Sequence, residues 1–229
     1  MKTMKILDDM ATERERRLRG LHEPDPHARE LWKRALAALP KDLEREKLQV
    51  AFQFAKEIKY HHVGLTSEIY FSHPLRVAAI GLLIDNVPDS RVGVLAILHN
   101  VLEVSHISAD TLAEVFGREV SEQVVALTVD RAIQWDRAYK TEYYKNLMTG
   151  PRFTRVVKII DKLDNLFLLG LNTDEDIRIK YLSEIEDFVL PMVEATLPEL
   201  LVYMSNLVDN CRATGFITTP AAIKVKENI

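Results

Sequence analysis

Residues 152–170, RFTRVVKIIDKLDNLFLLG, decide the fold of this chain. Apolar residues recur through the stretch with the period of an α-helix and cover most of its surface. Asp161 lies in the middle of the stretch, and a buried carboxylate needs a partner to offset its lost hydration. The stretch therefore predicts one long, largely buried helix that carries a paired acidic group.

Helical patterns continue from this stretch towards both ends of the chain. Asp25 followed by Pro26 combines an N-cap with a proline at the first helical position, which predicts a helix over 26–38. Residues 41–60 place apolar side chains on one helical stripe. The other predicted helices cover 74–84, 90–104, 108–117, 118–128, 137–149, 174–195 and 198–212. Because no segment shows sustained two-residue alternation, the sequence predicts an all-α fold, a single multi-helix bundle.

The distribution of proline and glycine indicates how the chain divides into domains. These residues mark the corners between helices without forming a linker, so residues 23–229 are predicted to form a single domain. Residues 1–22 are predicted to be an N-terminal arm or helix that docks loosely. The charged run ERERRLRG at 13–20 is interpreted as a solvated helix face.

Composition excludes several classes of partner. The 229 residues carry a formal net charge of −4, so no basic field recruits nucleic acid or an anionic membrane. Cys211 is the single cysteine, which rules out a disulfide within the chain. Apolar runs such as VAAIGLLI at 77–84 are too short to span a bilayer, and the charged N-terminus lacks a signal-peptide core. We expect a cytoplasmic protein with no nucleic-acid or membrane partner; whether it forms a homo-oligomer is left open.

Three places set metal-binding residue types in apolar surroundings. They are His73 in YFSHPLRVAA, His99-Asn100 in LAILHNVLEV, and Asp161. Glu103 follows His99 by four residues and shares its helical face. Two imidazoles with oxygen ligands suit Mn²⁺, Fe²⁺ or Zn²⁺. The alternative for each histidine taken separately is a cap or a solvated helix edge, and spacing alone does not show that the segments meet.

The three segments YFSHPLRVAA, LAILHNVLEV and VVKIIDKLDNL, in this order, resemble the signature segments of HD-domain phosphohydrolases. The closer resemblance is to the RelA/SpoT-type hydrolase domains, which remove the 3′-pyrophosphate from guanosine tetra- and pentaphosphate. The stretches TLAEVFGREVSEQVVALT and YKTEYYKNL agree as well, so the resemblance covers roughly residues 45–190. It implies an HD-type bundle and metal-dependent hydrolysis of a nucleotide phosphate or pyrophosphate.

The resemblance also implies roles for individual residues. His73, His99 and Asp161 match three of the family's four metal ligands, and the metal there is usually manganese. Asn100 stands in place of the fourth ligand, an aspartate. Glu103 matches the first member of an acidic pair that positions or activates the attacking water.

Some further positions match substrate-binding residues of the family, and others differ from the family's pattern. Asn165 matches an asparagine that helps to hold the nucleotide, and Lys158 and Arg76 are further candidates for binding the substrate. Val104 replaces the second acid of the pair, and the family's Arg-Lys pair before the first histidine is missing. The neutral carbonyl of Asn100 is a weaker ligand than a carboxylate. The competing prediction is therefore a catalytically degenerate domain that binds a nucleotide or a protein partner.

Overall fold

The computed structural model describes residues 6–62, 64–84 and 88–213. Throughout these residues the regular elements are helices, and His62 and Leu65 form an isolated β-bridge. The α-helices are α1 (Met10–Arg19), α2 (Pro26–Ala38), α3 (Asp42–Lys56), α4 (Ser67–Tyr70), α5 (Ser72–Ile84), α6 (Ser90–Leu98), α7 (Val101–Val104), α8 (Ala109–Phe116), α9 (Arg118–Leu127), α10 (Arg137–Thr149), α11 (Arg152–Leu166), α12 (Glu175–Glu184), α13 (Leu190–Thr196) and α14 (Leu201–Ala213). The predicted all-α class is confirmed.

Helix α11 runs through the centre of the bundle. It packs against α5, α6, α9, α10, α13 and α14, and most of its side chains are buried. The helix ends at Leu166 instead of near 170, because Leu168 leaves the helical conformation and a 3-10 turn follows at Leu169–Leu171. Phe167 and Leu169 are nevertheless buried, so the apolar pattern continues past the end of the helix.

The helix predicted over 90–104 is broken in the middle. Helix α6 ends at Leu98 and α7 begins at Val101. Between them, Asn100 has φ −100° and ψ 0°, in the bridge region of backbone space. His99 and Asn100 therefore lie at a break between two helices. Between the helices predicted over 74–84 and 90–104, residues 85–87 lie outside the described part of the chain.

Gly93 sets how closely α6 approaches its neighbours. A Cβ atom at this position would lie 2.4 Å from Leu48 Cδ2 on α3 and 2.9 Å from Leu82 Cδ1 on α5. Both leucines are fully buried, and a close-packed interior leaves them little room to move aside. The missing side chain thus lets α6 lie directly against both helices.

The predicted termini agree well where the sequence carries a cap. Asp25 accepts hydrogen bonds from the backbone N–H groups of His27 and Ala28, and α2 covers the predicted residues 26–38. The helix predicted over 174–195 is interrupted by a π-helical turn at Ile185–Val189. The last predicted helix begins as a 3-10 turn at Pro198–Leu200 and continues as α14.

Helix α1 is attached to the bundle through buried charged groups. Glu13 is 3% exposed and Arg17 is 1% exposed, so the interpretation of 13–20 as a solvated face is wrong for these two residues. Arg17 Nε donates to Asp164 Oδ1 at 2.8 Å, and its guanidinium lies over the ring of Phe167. The division of the chain at residue 22 stays a prediction.

One further sequence expectation concerns membranes. Among the described residues, no helix combines the length and the apolar character that crossing a bilayer requires. Cys211 is buried and is not in a disulfide.

Candidate metal centre

His73, His99 and Asp161 come together at the centre of the bundle. His73 lies in the first turn of α5, His99 directly follows α6, and Asp161 lies in the middle of α11. One ligand atom from each residue lies within 4.8 Å of the other two. The Nε2 atoms of His73 and His99 are 3.3 Å and 3.4 Å from Asp161 Oδ1. Segments far apart in the sequence thus meet at one point.

Both imidazole rings are oriented by a hydrogen bond at Nδ1, the ring nitrogen that points away from Asp161. His99 Nδ1 is 2.6 Å from the carbonyl oxygen of Ala96, which can only accept, so Nδ1 carries the proton. His73 Nδ1 is 2.8 Å from Asp164 Oδ2. The Nε2 atoms of both rings are buried and lack a hydrogen-bond partner in the described part of the chain. Each Nε2 atom therefore faces Asp161 without a bond of its own.

The pKa values of His73 and Asp161 indicate that the cluster can hold a positive charge. Burial lowers the pKa of His73, but the nearby carboxylates of Asp161 and Asp164 outweigh burial and raise that pKa to about 9. Burial would raise the pKa of Asp161, yet the two histidines and Lys158 hold it well below its usual range. Without a metal, a proton on His73 offsets the carboxylate charge. A divalent cation would replace that proton.

The donor set fits a first-row divalent metal. Two imidazole nitrogens and a carboxylate oxygen are ligands that manganese, iron and zinc share. Buried polar atoms without partners are rare in folded proteins, and a cation bound by both Nε2 atoms would satisfy them. No second group of this kind occurs among the described residues: the His61 ring instead packs against His106, at 4.5 Å between centroids.

Asn100 lies beside the cluster and bonds to a tyrosine. Its Nδ2 donates to the hydroxyl of Tyr70 at 2.9 Å. Tyr70 is buried, its ring centroid is 6.2 Å from that of His73, and burial raises its pKa above the usual value. The hydroxyl therefore stays neutral at physiological pH and fixes the nitrogen end of the Asn100 amide.

Glu103 is engaged at both carboxylate oxygens. Oε1 accepts the backbone N–H of Val129 at 3.0 Å, and Oε2 accepts from Arg131 Nε at 2.9 Å and Nη2 at 2.6 Å. The Glu103 side chain is 6% exposed, whereas that of Arg131 is 65% exposed. Arg131 therefore covers Glu103 from the solvent side. Nothing in the spacing of the sequence indicates this pairing.

Lys158 lies next to Asp161, and two further buried lysines of α10 and α11 pair with Glu184. Lys158 Nζ is 3.6 Å from Asp161 Oδ2, while Lys140 and Lys162 place their ammonium groups 2.7 Å and 2.8 Å from Glu184. Burial and the neighbouring Lys162 lower the pKa of Lys140 to about 8. Lys158 therefore brings a positive charge next to the carboxylate of Asp161. The sequence analysis missed Lys140, Lys162 and Glu184.

Asn165 and Arg76 were predicted to bind the substrate, but both side chains are bonded to carboxylates of the protein. Asn165 Nδ2 donates to Asp161 Oδ1 at 2.9 Å, one turn along α11. Arg76 is 5% exposed, and its guanidinium donates to Asp164 through Nε and Nη2 and to Asp25 through Nη1. Arg76 is thus bound to two buried carboxylates.

The curated proteins that this chain resembles are named for reactions of guanosine nucleotides. No protein-family profile matches the chain. The chain is 29% identical over 166 residues to the guanosine-3′,5′-bis(diphosphate) 3′-pyrophosphohydrolase of Aquifex aeolicus, covering 68% of this chain and 23% of that protein. It is 29% identical over 156 residues to the GTP pyrophosphokinase rsh of Brucella melitensis, covering 66% of this chain and 20% of that protein. The chain spans less than a quarter of the length of these two relatives.

A shorter relative is covered over most of its length. The guanosine-3′,5′-bis(diphosphate) 3′-pyrophosphohydrolase MESH1 of Drosophila melanogaster is 26% identical over 146 residues, which are 64% of this chain and 73% of that protein. The solved structure of a metazoan ortholog of SpoT that hydrolyses ppGpp matches with a TM-score of 0.55 and 24% identity, covering 78% of this chain and 98% of that one. The resemblance to RelA/SpoT-type hydrolase domains and the HD-type fold are thereby confirmed.

Proposed function

We propose that this chain is a divalent-metal-dependent hydrolase that removes a phosphate or pyrophosphate from a nucleotide. The observation that carries the proposal is the convergence of His73, His99 and Asp161, with both imidazole Nε2 atoms buried and unpaired. The names of the relatives from Aquifex and Drosophila support guanosine-3′,5′-bis(diphosphate) as the first substrate to test. The reaction would take place in the cytoplasm.

His73, His99 and Asp161 would hold the metal, and the carbonyl oxygen of Asn100 would be a fourth ligand. The Asn100 amide nitrogen is already bonded to Tyr70, which leaves its oxygen for this role. Manganese is the metal we propose, and iron and zinc share the same donor set. When bound, the cation would supply a Lewis acid for the phosphoryl group and lower the pKa of water.

Glu103 is the group that would accept a proton from the attacking water. The water oxygen bonds to phosphorus as the bond from phosphorus to the leaving oxygen breaks, and the proton passes to a carboxylate oxygen. The Oε2 atom is bound to Arg131, whose side chain is largely exposed. Because the Arg131 side chain is 65% exposed, it has room to turn towards solvent, and this movement would free the oxygen.

Lys158 and Asn165 are the residues that we propose for substrate binding. The Lys158 ammonium lies between Asp161 Oδ2 and the ring of Tyr143, where it would face phosphate oxygens next to the metal. Asn165 donates from its amide nitrogen to Asp161 and so holds that carboxylate in place. It would also contact the nucleotide near the C-terminal end of α11. Arg76 has no part in substrate binding in this proposal, because its guanidinium is occupied by Asp164 and Asp25.

The test is hydrolysis by purified protein that has been stripped of metal and reloaded with Mn²⁺. Guanosine-3′,5′-bis(diphosphate) and a panel of nucleoside di- and triphosphates are incubated with the protein, and the products are separated by anion-exchange chromatography. We expect release of pyrophosphate from the 3′ position. Asp161→Asn keeps the shape of the ligand but removes its charge and should abolish turnover. Asp209→Asn, the same change at an exposed position of α14, should not.

Two results would contradict the proposal at different points. Failure of the protein to bind Mn²⁺, Fe²⁺ or Zn²⁺ would show that the three residues do not form a metal centre. Stoichiometric metal without hydrolysis of any nucleotide on the panel would instead support the alternative, a catalytically degenerate domain that binds a nucleotide or a protein partner.

A further inference from the structure

Asp164 is a buried carboxylate that touches the metal centre without belonging to it. It is 1% exposed and lies on α11, three residues after Asp161. Its Oδ2 atom lies 2.8 Å from Nδ1 of His73. The other ligand histidine, His99, has a backbone carbonyl in the equivalent place. Each imidazole is therefore held from behind by an oxygen atom.

Two arginines hold Asp164 in one orientation. Oδ1 accepts from Arg17 Nε at 2.8 Å and from Arg76 Nε at 3.0 Å, while Oδ2 accepts from Arg76 Nη2 at 2.9 Å and from His73. Each oxygen thus accepts two bonds, which fills the acceptor sites of a carboxylate.

Both oxygens of Asp164 accept hydrogen bonds from arginine N–H groups, so Asp164 is also the acceptor towards His73, and this decides the tautomer of His73. The proton must lie on Nδ1, which leaves the lone pair of Nε2 for a metal in the neutral ring. A carboxylate behind a ligand histidine also makes the imidazole more basic and fixes the plane of the ring. Since Asp164 itself is fixed by two guanidinium groups, the ring of His73 has one available orientation.

Arg17 brings the N-terminal helix into this arrangement. It reaches Asp164 from α1, where Glu13 accepts from its Nη1 atom and the ring of Phe167 lies 4.1 Å from its guanidinium carbon. Arg17 and Glu13 are buried, and neither contacts the three metal-binding residues. A buried charge of this kind is costly unless its ionic partners are kept.

We propose that Asp164 is the positioning residue that prepares His73 for metal binding, and that Arg17 makes this support depend on the docking of α1. The inference rests on the proposed metal centre. It predicts that metal affinity changes when side chains behind the site are altered, although these side chains do not reach the metal or the substrate.

The direct test is the Mn²⁺ affinity of Asp164→Asn, measured by isothermal titration calorimetry at a temperature at which every variant is folded. The amide would place an NH₂ group where an acceptor is needed, which favours the tautomer of His73 with its proton on Nε2. We expect the Kd for Mn²⁺ to rise about 10- to 100-fold, as for other partners of metal-binding histidines.

Nuclear magnetic resonance of ¹⁵N-labelled histidine in the Zn²⁺-loaded protein gives a second readout. In the unchanged protein the Nδ1 proton of His73 should be visible, together with a metal-bound Nε2 signal. Asp164→Asn should alter the signals of His73 and leave those of His99 unchanged, because the carbonyl of Ala96 holds His99 independently. A general loss of structure would change both rings.

Arg17→Met tests the contribution of α1 and decides the question if Asp164→Asn does not fold. Methionine keeps apolar contact with Phe167 but removes the donor to Asp164, so Mn²⁺ binding should weaken by at least about threefold, less than for Asp164→Asn. Arg19→Met makes the same change at an exposed position of the same helix, and its affinity should equal that of the unchanged protein.

Distinct results overturn the inference and the proposed function. If the unchanged protein binds Mn²⁺ and both Asp164→Asn and Arg17→Met keep its Kd within about twofold, Asp164 has no positioning role and this inference alone is wrong. If Arg17→Met alone keeps that Kd, the dependence on α1 is wrong. If the unchanged protein binds no metal, the metal centre fails and the inference fails with it.

Discussion

At the scale of single residues, we expect Asn100 to limit how strongly the proposed site binds metal. A carboxylate in its place would add a charged ligand for a hard divalent cation. We expect Asn100→Asp to lower the Kd for Mn²⁺ and to raise the melting temperature when Mn²⁺ is present, because a ligand that binds only the folded state stabilises it. In chelator the variant should be no more stable than the unchanged protein, since a second carboxylate would lie near Asp161.

Calorimetry and thermal denaturation with and without chelator check this prediction. Asn206→Asp, at an exposed position of α14, is the matched control and should leave the Kd unchanged. Equal Mn²⁺ affinity in Asn100→Asp and the unchanged protein would mean that the Asn100 side chain does not reach the metal.

A substitution at Glu103 tests its proposed role in proton transfer separately from metal binding. Glu103→Gln keeps the acceptor for the backbone N–H of Val129 but cannot take up a proton. We expect turnover to fall by about 10²- to 10⁴-fold, the usual contribution of a general base, with the Mn²⁺ Kd nearly unchanged. Steady-state kinetics on the nucleotide that the protein hydrolyses measures this fall.

The control for Glu103→Gln is Glu114→Gln, at an exposed position of α8. It should retain full turnover. Unchanged turnover in Glu103→Gln would show that another group accepts the proton, and that the contact between Glu103 and Arg131 only stabilises the fold.

At the scale of elements, Glu184 joins three helices. It lies at the end of α12, immediately before the π-helical turn, and contacts Lys140 of α10 and Lys162 of α11. Burial would raise its pKa, but the two lysines lower it from 4.5 to about 2. Glu184→Gln should reduce the free energy of unfolding at pH 7 by about 3–5 kcal/mol, because it leaves two buried ammonium groups with weaker partners.

The pH dependence of this loss has a defined sign. A carboxylate with a lowered pKa in the folded state stabilises the fold above the pKa of the unfolded chain, and this stabilisation disappears as the pH falls through the folded value. The difference in unfolding free energy between the unchanged protein and Glu184→Gln should therefore be greatest above pH 4.5 and shrink towards pH 2.

Urea denaturation across this pH range measures the difference. Glu186→Gln, two residues further on, affects only a partly exposed ion pair with Arg212 and should cost less than about 1 kcal/mol. A loss in Glu184→Gln that does not change between pH 7 and pH 3 would show that its charge contributes little.

Helix termini were predictable from the sequence where a local signal exists. Asp25 and Pro26 mark the start of α2 through a cap and a proline, and Gly150 with Pro151 marks the end of α10. The break at His99 and Asn100 has no such signal, because apolar residues continue on both sides. Its cause is tertiary, and periodicity alone does not reveal it.

At the scale of the whole molecule, a bound metal would link three helices that are distant in sequence. The three residues of the cluster come from α5, the end of α6 and α11. Mn²⁺ at 100 times its Kd should add about 2.7 kcal/mol to the free energy of unfolding, and raise the melting temperature by roughly 5–10 °C for a chain of this size. Calorimetric scans with Mn²⁺ and with chelator test this.

Asp161→Asn serves as the control for the metal-dependent shift. It should show almost no difference between the two conditions, because a neutral amide is a weak ligand. A shift of the same size in Asp161→Asn would assign the stabilisation to metal bound elsewhere.

The fold and the three converging residues could be predicted from the sequence, but the groups around them could not. His73, His99 and Asp161 lie in segments whose order and spacing resemble those of a known family. Arg17 lies in a charged run that resembles a solvated helix, and its partner Asp164 is far away in the chain. Long-range pairing of charged side chains leaves no periodic trace in a single sequence.

Gly93 carries a consequence for how sequences of this kind can diverge. It has no chemistry of its own, yet a methyl group there would push α6 away from Leu48 and Leu82, and with it the histidine that follows the helix. We therefore expect natural variation at this position to be restricted, although the residue does not contact the proposed metal. A library randomised at position 93 and selected for metal binding should return glycine. A comparison limited to the residues of the proposed metal centre would instead predict that Gly93→Ala has no effect.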